Sequence, residues 1–321
     1  MNEVDTLIIG AGLAGLTLAR ELSGHPGKVM ILEKSKSPGG RLSTRLSDFG
    51  SFDHGAQYLT SRTPAFTALL NQLSETGKLA PWSPAGKGSS RPWWVGQPGM
   101  STLGKALARG LDISFETRVT EIACEDGGFV VHTQDPAGEK AIYAASRIVA
   151  AIPAPQAMDL LVPLDPVFLK LQEVSMAPCW SAMLAFESRL NDLLDLTRGK
   201  EGDVLSLIAR NGSKPGRDGE TFVIHATPEW SRAHIENDPD TVKSAMVSAL
   251  RQQTGLGDHL PAPVHCKVHR WLYALAETPL DQPFFGNSGN TLFACGDWCI
   301  GGRAEAAHQS GLALAQHIIS L

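Results

Sequence analysis

Apolar positions follow two rhythms along this chain. Thr6-Leu7-Ile8-Ile9 is a short apolar run, Leu13–Leu22 repeats its apolar residues at helical spacing, and Lys28–Leu32 is a second apolar run. Together they predict a β-α-β unit. Arg147–Ile152 and Thr291–Cys295 are further runs of the same kind, each leading into a helix start or a loop. Unbroken apolar runs suit parallel strands buried on both faces, so one sheet is expected to draw strands from distant parts of the chain. Between those parts the pattern alternates: Ser181–Phe186, Val204–Ala209, Thr221–Ala226 and Val264–Val268 read as strands of an antiparallel sheet. A helix is expected from about Asp240 to Thr254, with Pro239 at its start and Val242, Ala245, Met246, Ala249 and Leu250 on one face. Asn211–Glu220, rich in Gly, Lys, Arg and Asp, reads as an exposed loop.

The first β-α-β unit carries a glycine pattern with chemical meaning. Gly10-Ala11-Gly12-Leu13-Ala14-Gly15 follows the strand and opens the helix, and Glu33 closes the next strand eighteen residues after Gly15. In such a fingerprint Gly10 permits a tight turn, Gly12 lets the backbone approach a pyrophosphate, and Gly15 allows close helix–strand packing. The helix N-terminus offers N–H groups and partial positive charge to the phosphates. Glu33 would accept from ribose hydroxyls and repel a 2′-phosphate. The fingerprint alone serves FAD or NAD. What favours FAD is Ser37-Pro38-Gly39-Gly40-Arg41, where a second glycine turn and a guanidinium would meet the same pyrophosphate.

Composition narrows the partners. The 321 residues, 43% hydrophobic, accommodate a two-domain enzyme, and a net charge of −5 argues against a nucleic-acid surface. The longest apolar stretch, Leu7–Ala19, is thirteen residues broken by three glycines, too short for a bilayer. An acidic Met1–Asp5 and an odd count of five cysteines fit a cytoplasmic protein without a leader or disulfide framework. Cys295 and Cys299 have no second pair or histidine doublet nearby, so no metal site is expected.

Taken in order, Glu33, Gly39-Gly40-Arg41, Asp53-His54-Gly55-Ala56-Gln57-Tyr58, Trp94-Val95-Gly96-Gln97-Pro98-Gly99-Met100 and Cys295-Gly296-Asp297-Trp298 resemble the flavin amine-oxidase superfamily. Within it the resemblance is to bacterial renalases, with His225-Ala226-Thr227, Trp230-Ser231, His269-Arg270-Trp271-Leu272-Tyr273 and Gly302-Arg303 also matching. The resemblance implies an α/β fold: a doubly wound, glutathione-reductase-like FAD domain and a substrate domain of antiparallel sheet plus helices. We expect the FAD domain in 1–60, 96–155 and 291–321, and the substrate domain in 61–95 and 156–290. It further implies non-covalent FAD on Gly10, Gly12, Ala14, Gly15, Glu33, Lys34, Gly40 and Arg41, with Val119 near adenine. Gln57 and Tyr58 would border the ring, and Gly296, Asp297, Arg303 and Ala306 would meet the ribityl chain and the flavin edge.

The resemblance also implies a reaction. Renalases oxidise 2-dihydro, and in some members 6-dihydro, isomers of NAD(P)H to NAD(P)+, with electrons passing through FAD to O2 to give hydrogen peroxide. Aromatisation drives hydride transfer to flavin N5, so orientation matters more than an acid–base pair. Trp271 and Tyr273 would flank the flat dihydropyridine, His225 would bond its carboxamide, and Gln57 completes the catalytic set. Arg62, Lys214 or Arg303 would meet substrate phosphates unless they are ordinary surface charges. Two other readings stand beside this one: an FAD-dependent amine oxidase, and an FAD-binding protein without turnover. Only Tyr58, Tyr143 and Tyr273 are available to an amine oxidase's aromatic cage. Cys295 or Cys299 as a covalent flavin anchor has no support in the pattern.

Overall fold

A computed structural model describes residues 2–84, 92–125 and 127–321. Met1 of the N-terminal reading and residues 85–91 of the expected 61–95 segment lie outside them. The chain forms two compact units, one of residues 1–40, 104–176 and 276–321, the other of 41–103 and 177–275.

The first unit is built on an eight-stranded sheet. Asn2–Ile9 lies at its centre, parallel to Val29–Leu32 on one side and to the second half of Lys140–Ala150 on the other. Ile113–Ser114 extends the sheet beyond Val29–Leu32, and Leu292–Ala294 extends it beyond Lys140–Ala150, both in parallel. On the edge of Lys140–Ala150 away from Asn2–Ile9, residues 140–145 pair antiparallel with Gly128–Gln134, which pairs with Arg118–Glu125. One long strand thus belongs to both a meander and the parallel sheet. Leu13–Leu22 and Ala304–Ile319 pack together because Gly311 brings their backbones close: a Cβ there would lie 2.3 Å from the Ala14 carbonyl oxygen. Leu7, Ile9, Leu32, Ile148, Ala150, Leu292 and Phe168 share one buried core. Sequence and structure agree on the parallel strands because fully apolar runs have no soluble alternative, whereas 156–176 and 276–290, expected in the substrate domain, belong to this unit and 96–103 to the other.

The second unit centres on a five-stranded sheet in the order Leu196–Arg198, Leu205–Arg210, Glu220–Ala226, Ser175–Phe186, His265–Thr278. Its core joins Trp180, Leu184, Phe222 and Ile224 to Val242, Met246 and Leu250 of the Pro239–Thr254 helix. Asp238 caps that helix, accepting from the Asp240 and Thr241 amides, one residue before the proline. His265–Thr278 runs well beyond the expected Val264–Val268, so Trp271 and Tyr273 lie within a strand.

The expected exposed loop at Asn211–Glu220 is a correction. Arg210, Asn211, Lys214 and Arg217 are buried. Composition read this stretch as solvated because its charges looked unpaired, whereas Asp53 and Glu220 supply the opposite charge inside the fold. The same contacts explain why 41–60 joins the second unit, where the expected boundary fell at residue 60: Asp53 is held by side chains from the 211–217 segment.

Candidate functional site

In the first unit the glycine fingerprint is a cradle. Gly10 has φ +103°, and a Cβ there would meet the Ala151 carbonyl at 2.7 Å. At Gly15 a Cβ would lie 2.2 Å from the Gly10 carbonyl oxygen, so helix and strand close up only without a side chain. Gly12 differs: φ is −73° and a Cβ there would meet nothing within 4 Å. Nothing in the folded chain forbids a side chain at Gly12, and the space above it is open to a ligand. The Leu13–Leu22 helix begins at Gly12 without a side-chain cap and with no acid in its first turn, which leaves its N-terminal field available to an anion.

The second glycine turn is locked onto the first. Gly39 N–H donates to the Ala11 carbonyl at 2.8 Å, and a Cβ on Gly40 would lie 3.6 Å from the Gly12 Cα. Glu33 accepts from the amides of Ala11 and Ser35, both at 2.8 Å, so its carboxylate is fixed at the cradle's edge with further lone pairs left for hydroxyls. Beside it opens a cavity of about 200 Å³ lined by Gly10, Glu33, Lys34, Arg118 and Val119. Gln156 and Asp159 line it as well, from the Ala154–Leu161 helix. The sequence reading had no signal for those two, because surface polar residues on a short helix look alike until the fold turns one face inward. These residues fit the adenosine and pyrophosphate of a dinucleotide: polar edges, backbone donors and an uncapped helix.

Farther along this unit, Gly296 N–H donates to the Ser310 hydroxyl at 2.9 Å, and buried Asp297 opens a short turn before the Ala304–Ile319 helix. Arg303 is the exposed N-cap of that helix and Ala306 is buried in its first turn. The Cys295 and Cys299 thiols are buried, which raises Cys295 well above the ordinary thiol value and Cys299 to about 12. Neither is a ready nucleophile.

The second unit carries a site of another kind, centred on a fully buried carboxylate. Asp53 accepts from Thr44 Oγ1 at 2.8 Å, the Met100 amide at 2.9 Å, Lys214 Nζ at 3.1 Å, and the Arg217 guanidinium. Burial opposes its ionisation, but Lys214 and Arg217 outweigh that and hold its pKa below the ordinary value. Lys214 donates also to Gln57 Oε1 at 3.0 Å and Asn211 Oδ1 at 3.2 Å, and burial lowers its pKa to about 8. The expectation that Lys214 meets a substrate phosphate is thereby corrected: the ammonium is enclosed and its three donors are directed at protein oxygens. Arg62 is exposed, as a surface charge would be.

Gln57 and Tyr58 are tied to the Trp94 segment as neighbours in space. Leu59 and Trp94 exchange backbone hydrogen bonds at 2.8 and 3.0 Å, and Tyr58 stacks on Trp93 with centroids 3.9 Å apart. The Gln57 carboxamide is used within the protein, its Nε2 donating to the carbonyls of Asp53 and Gly55 and lying 3.5 Å from His225 Nε2. Arg41, expected at a phosphate, donates through Nη1 to the Ala274 carbonyl at 3.0 Å.

His225 and Trp271 come together through His54. Trp271 Nε1 donates to the His54 carbonyl at 2.9 Å, its indole stacks on the His54 ring at 5.1 Å, and His269 meets both edge-on. Burial keeps all three imidazoles neutral, lowering His54 to about 3 and His225 and His269 to about 4, with nearby Arg45 and Lys214 adding to it. Tyr273, two residues further on the same strand, is half-buried. Asp53, His54 and His269 stood in the motifs that carry the family resemblance but were given no role, and Arg217 was missed altogether.

A dinucleotide cradle on a parallel sheet, joined in one chain to an antiparallel unit, is the architecture of a dinucleotide-dependent oxidoreductase, and the family match makes that dinucleotide FAD. The chain belongs to the flavin-containing amine oxidoreductase family, which it matches over residues 85–319, well over half its length. Residues 8–73 match an NAD(P)-binding Rossmann-like domain. Among solved structures, a protein from Exiguobacterium sp. 255-15 provisionally assigned as a protoporphyrinogen oxidase is similar with a TM-score of 0.74 at 13% identity, covering 99% of both chains. A cofactor-site double mutant of putrescine oxidase gives 0.73 at 15% identity over 100% of both, and wild-type putrescine oxidase bound to putrescine gives 0.70 at 16% over 99% of both. At such identities the likeness concerns the fold. Among the described residues, no helix is long and apolar enough to cross a membrane, and no cluster of His, Cys, Asp and Glu is arranged to hold a metal ion.

Proposed function

We propose that this protein is a renalase-like oxidase, returning 2-dihydro or 6-dihydro isomers of NAD(P)H to NAD(P)+ with O2 leaving as hydrogen peroxide. FAD, when bound, supplies the two-electron acceptor for the hydride and passes the electrons to oxygen. The first unit serves as the FAD domain, with the Gly10–Gly15 and Gly40 turns toward the pyrophosphate, Glu33, Lys34 and Val119 toward adenosine, and Gly296, Asp297, Arg303 and Ala306 toward the flavin end. Arg41, Gln57 and Tyr58 complete the cofactor set. Buried, protonated Cys295 and Cys299 favour non-covalent attachment.

The second unit serves as the substrate domain. The observation that carries this reading is the imidazole and indole cluster of His54, His269 and Trp271, with the buried His225 imidazole neighbouring His54. A dihydropyridine that becomes aromatic surrenders a hydride and requires no proton abstraction from carbon. Flat, uncharged walls that orient the ring and exclude water are what it asks of the protein. Trp271, Tyr273 and the His225 ring would supply those walls, and Gln57 would hold His225.

The deciding experiment mixes the purified yellow protein anaerobically with 2-dihydro-NAD and, separately, with benzylamine and a polyamine, following flavin absorbance near ~450 nm. Rapid bleaching by the dihydronicotinamide alone, with colour and peroxide appearing on admission of air, is the expected result. Bleaching by an amine alone would replace this reading with amine oxidation. No bleaching by any of them would leave an FAD-binding protein without these activities.

A further inference from the structure

We propose that Lys214 is a positioning residue: through Gln57 it fixes His225 in a single neutral tautomer, and so sets the polar side of the His225–Trp271 cluster.

The chain of donors runs in one direction. Lys214 Nζ donates to Gln57 Oε1 at 3.0 Å and has no lone pair with which to accept. That contact determines which end of the carboxamide faces the lysine. With Oε1 taken, Nε2 points to the carbonyls of Asp53 and Gly55 and to His225 Nε2. A flipped amide would set donor against donor at Lys214 and acceptor against acceptor at two carbonyls, so the orientation is fixed at both ends. The two Gln57 N–H groups go to those carbonyls, and His225 Nε2 faces the same nitrogen at 3.5 Å, where a ring proton would set donor against donor; the arrangement favours the proton on Nδ1. His225 neighbours His54, whose carbonyl accepts Trp271 Nε1 at 2.9 Å. One buried ammonium thereby orients an amide and, through it, an imidazole.

The charge balance fits this role. Asp53 is shared by Lys214 and Arg217, all three side chains fully buried, so one positive charge is in excess. Arg217 alone would balance Asp53. A buried lysine beyond what neutrality requires raises the cost of folding, which is understandable if its donors do something for the site. Removing it leaves a neutral Asp53–Arg217 pair, so Lys214→Met should fold.

Histidine side-chain 15N NMR on the flavin-loaded protein tests the relay directly. In the wild type His225 is expected as the Nδ1–H form, with Nε2 in the unprotonated range across neutral pH. In Lys214→Met the His225 signals should move to the Nε2–H form or to a mixture, and Lys214→Arg should restore the wild-type pattern in part. Gln57→Glu gives a second route: its carboxylate keeps the Lys214 contact but has no N–H for His225, and it too should shift the tautomer. A wild-type His225 protonated at Nε2, or a tautomer indifferent to both substitutions, would overturn the proposal. Its catalytic consequence rests on the dihydronicotinamide reading: losing a charge-assisted contact should raise KM about tenfold while leaving the limiting flavin-reduction rate nearly unchanged. If no dihydronicotinamide is oxidised, the tautomer result still stands or falls by itself.

Discussion

Around Gly10–Gly15 the first unit prepares for a ligand with backbone: glycines, amides and an uncapped helix, all within one stretch of sequence. Around Asp53 the second unit does the reverse, burying the charges of Asp53, Lys214 and Arg217 among neutral partners from residues 44, 57, 100 and 211. A backbone site depends on space, so it should be sensitive to added atoms. A buried ionic site depends on compensation, so it should be sensitive to removed charge. The largest effect is accordingly expected at Asp53. Asp53→Asn leaves Lys214 and Arg217 enclosed without a counter-charge and should lower unfolding stability by about 3–5 kcal/mol in urea titrations. A loss below about 1 kcal/mol would mean that water reaches those cations and that the two units differ less than described.

The counterpart in the first unit is Gly15→Ala. Its new methyl would meet the Gly10 carbonyl oxygen at 2.2 Å, and backbone cannot step aside as a side chain can. A loss of about 1–3 kcal/mol is expected, with flavin binding impaired because the helix must move away from the strand. An unchanged unfolding midpoint would show that the cradle is loose enough to absorb a methyl group.

The same contrast explains what the chain disclosed before folding. Local features were readable: the Leu13–Leu22 helix has the bounds its periodicity predicted, and Glu33 lies against the turn it was expected to serve. Lys214 and Arg217 were misread because a stretch of Asn, Gly, Lys and Arg carries the composition of a loop, and its counter-charge lies about 160 residues away at Asp53. His54 and His269 were passed over for a related reason: each gains meaning only when two strands bring it against Trp271. Burial of a charge is a property of pairs, and pairs distant in sequence leave no periodic trace.

Acidification probes the same unit without a substitution. The folded-state pKa values of His54, His225 and His269, about 3, 4 and 4, lie below the unfolded value of 6.5, so the unfolded chain binds more protons in that interval. Their contribution is complete above about pH 6.5 and is lost as pH falls toward 4 and then 3, with His54 alone contributing a slope of about 1 kcal/mol per pH unit. Urea midpoints measured between about pH 7 and pH 5 should fall, and His54→Asn should flatten the decline. A flat wild-type profile would mean that these rings take up protons as freely folded as unfolded.

The smallest stability effect is expected where the functional effect is among the largest. Gly12→Ala adds a methyl group to open space, since no protein atom lies within 4 Å of its position, and Gly12 already has an ordinary negative φ. The flavin-free protein should therefore change by less than about 1 kcal/mol, the cost of a poorer helix N-cap. Flavin affinity should nevertheless drop by about tenfold or more, because the methyl occupies the approach to the helix N-terminus that a pyrophosphate needs. Fluorescence titration of the flavin-free protein with FAD, paired with thermal unfolding of the same sample, separates the two quantities. Equal affinity in the presence of that methyl would place the pyrophosphate elsewhere on the first unit, and Gly12 would then have neither a steric nor a ligand reason to be glycine.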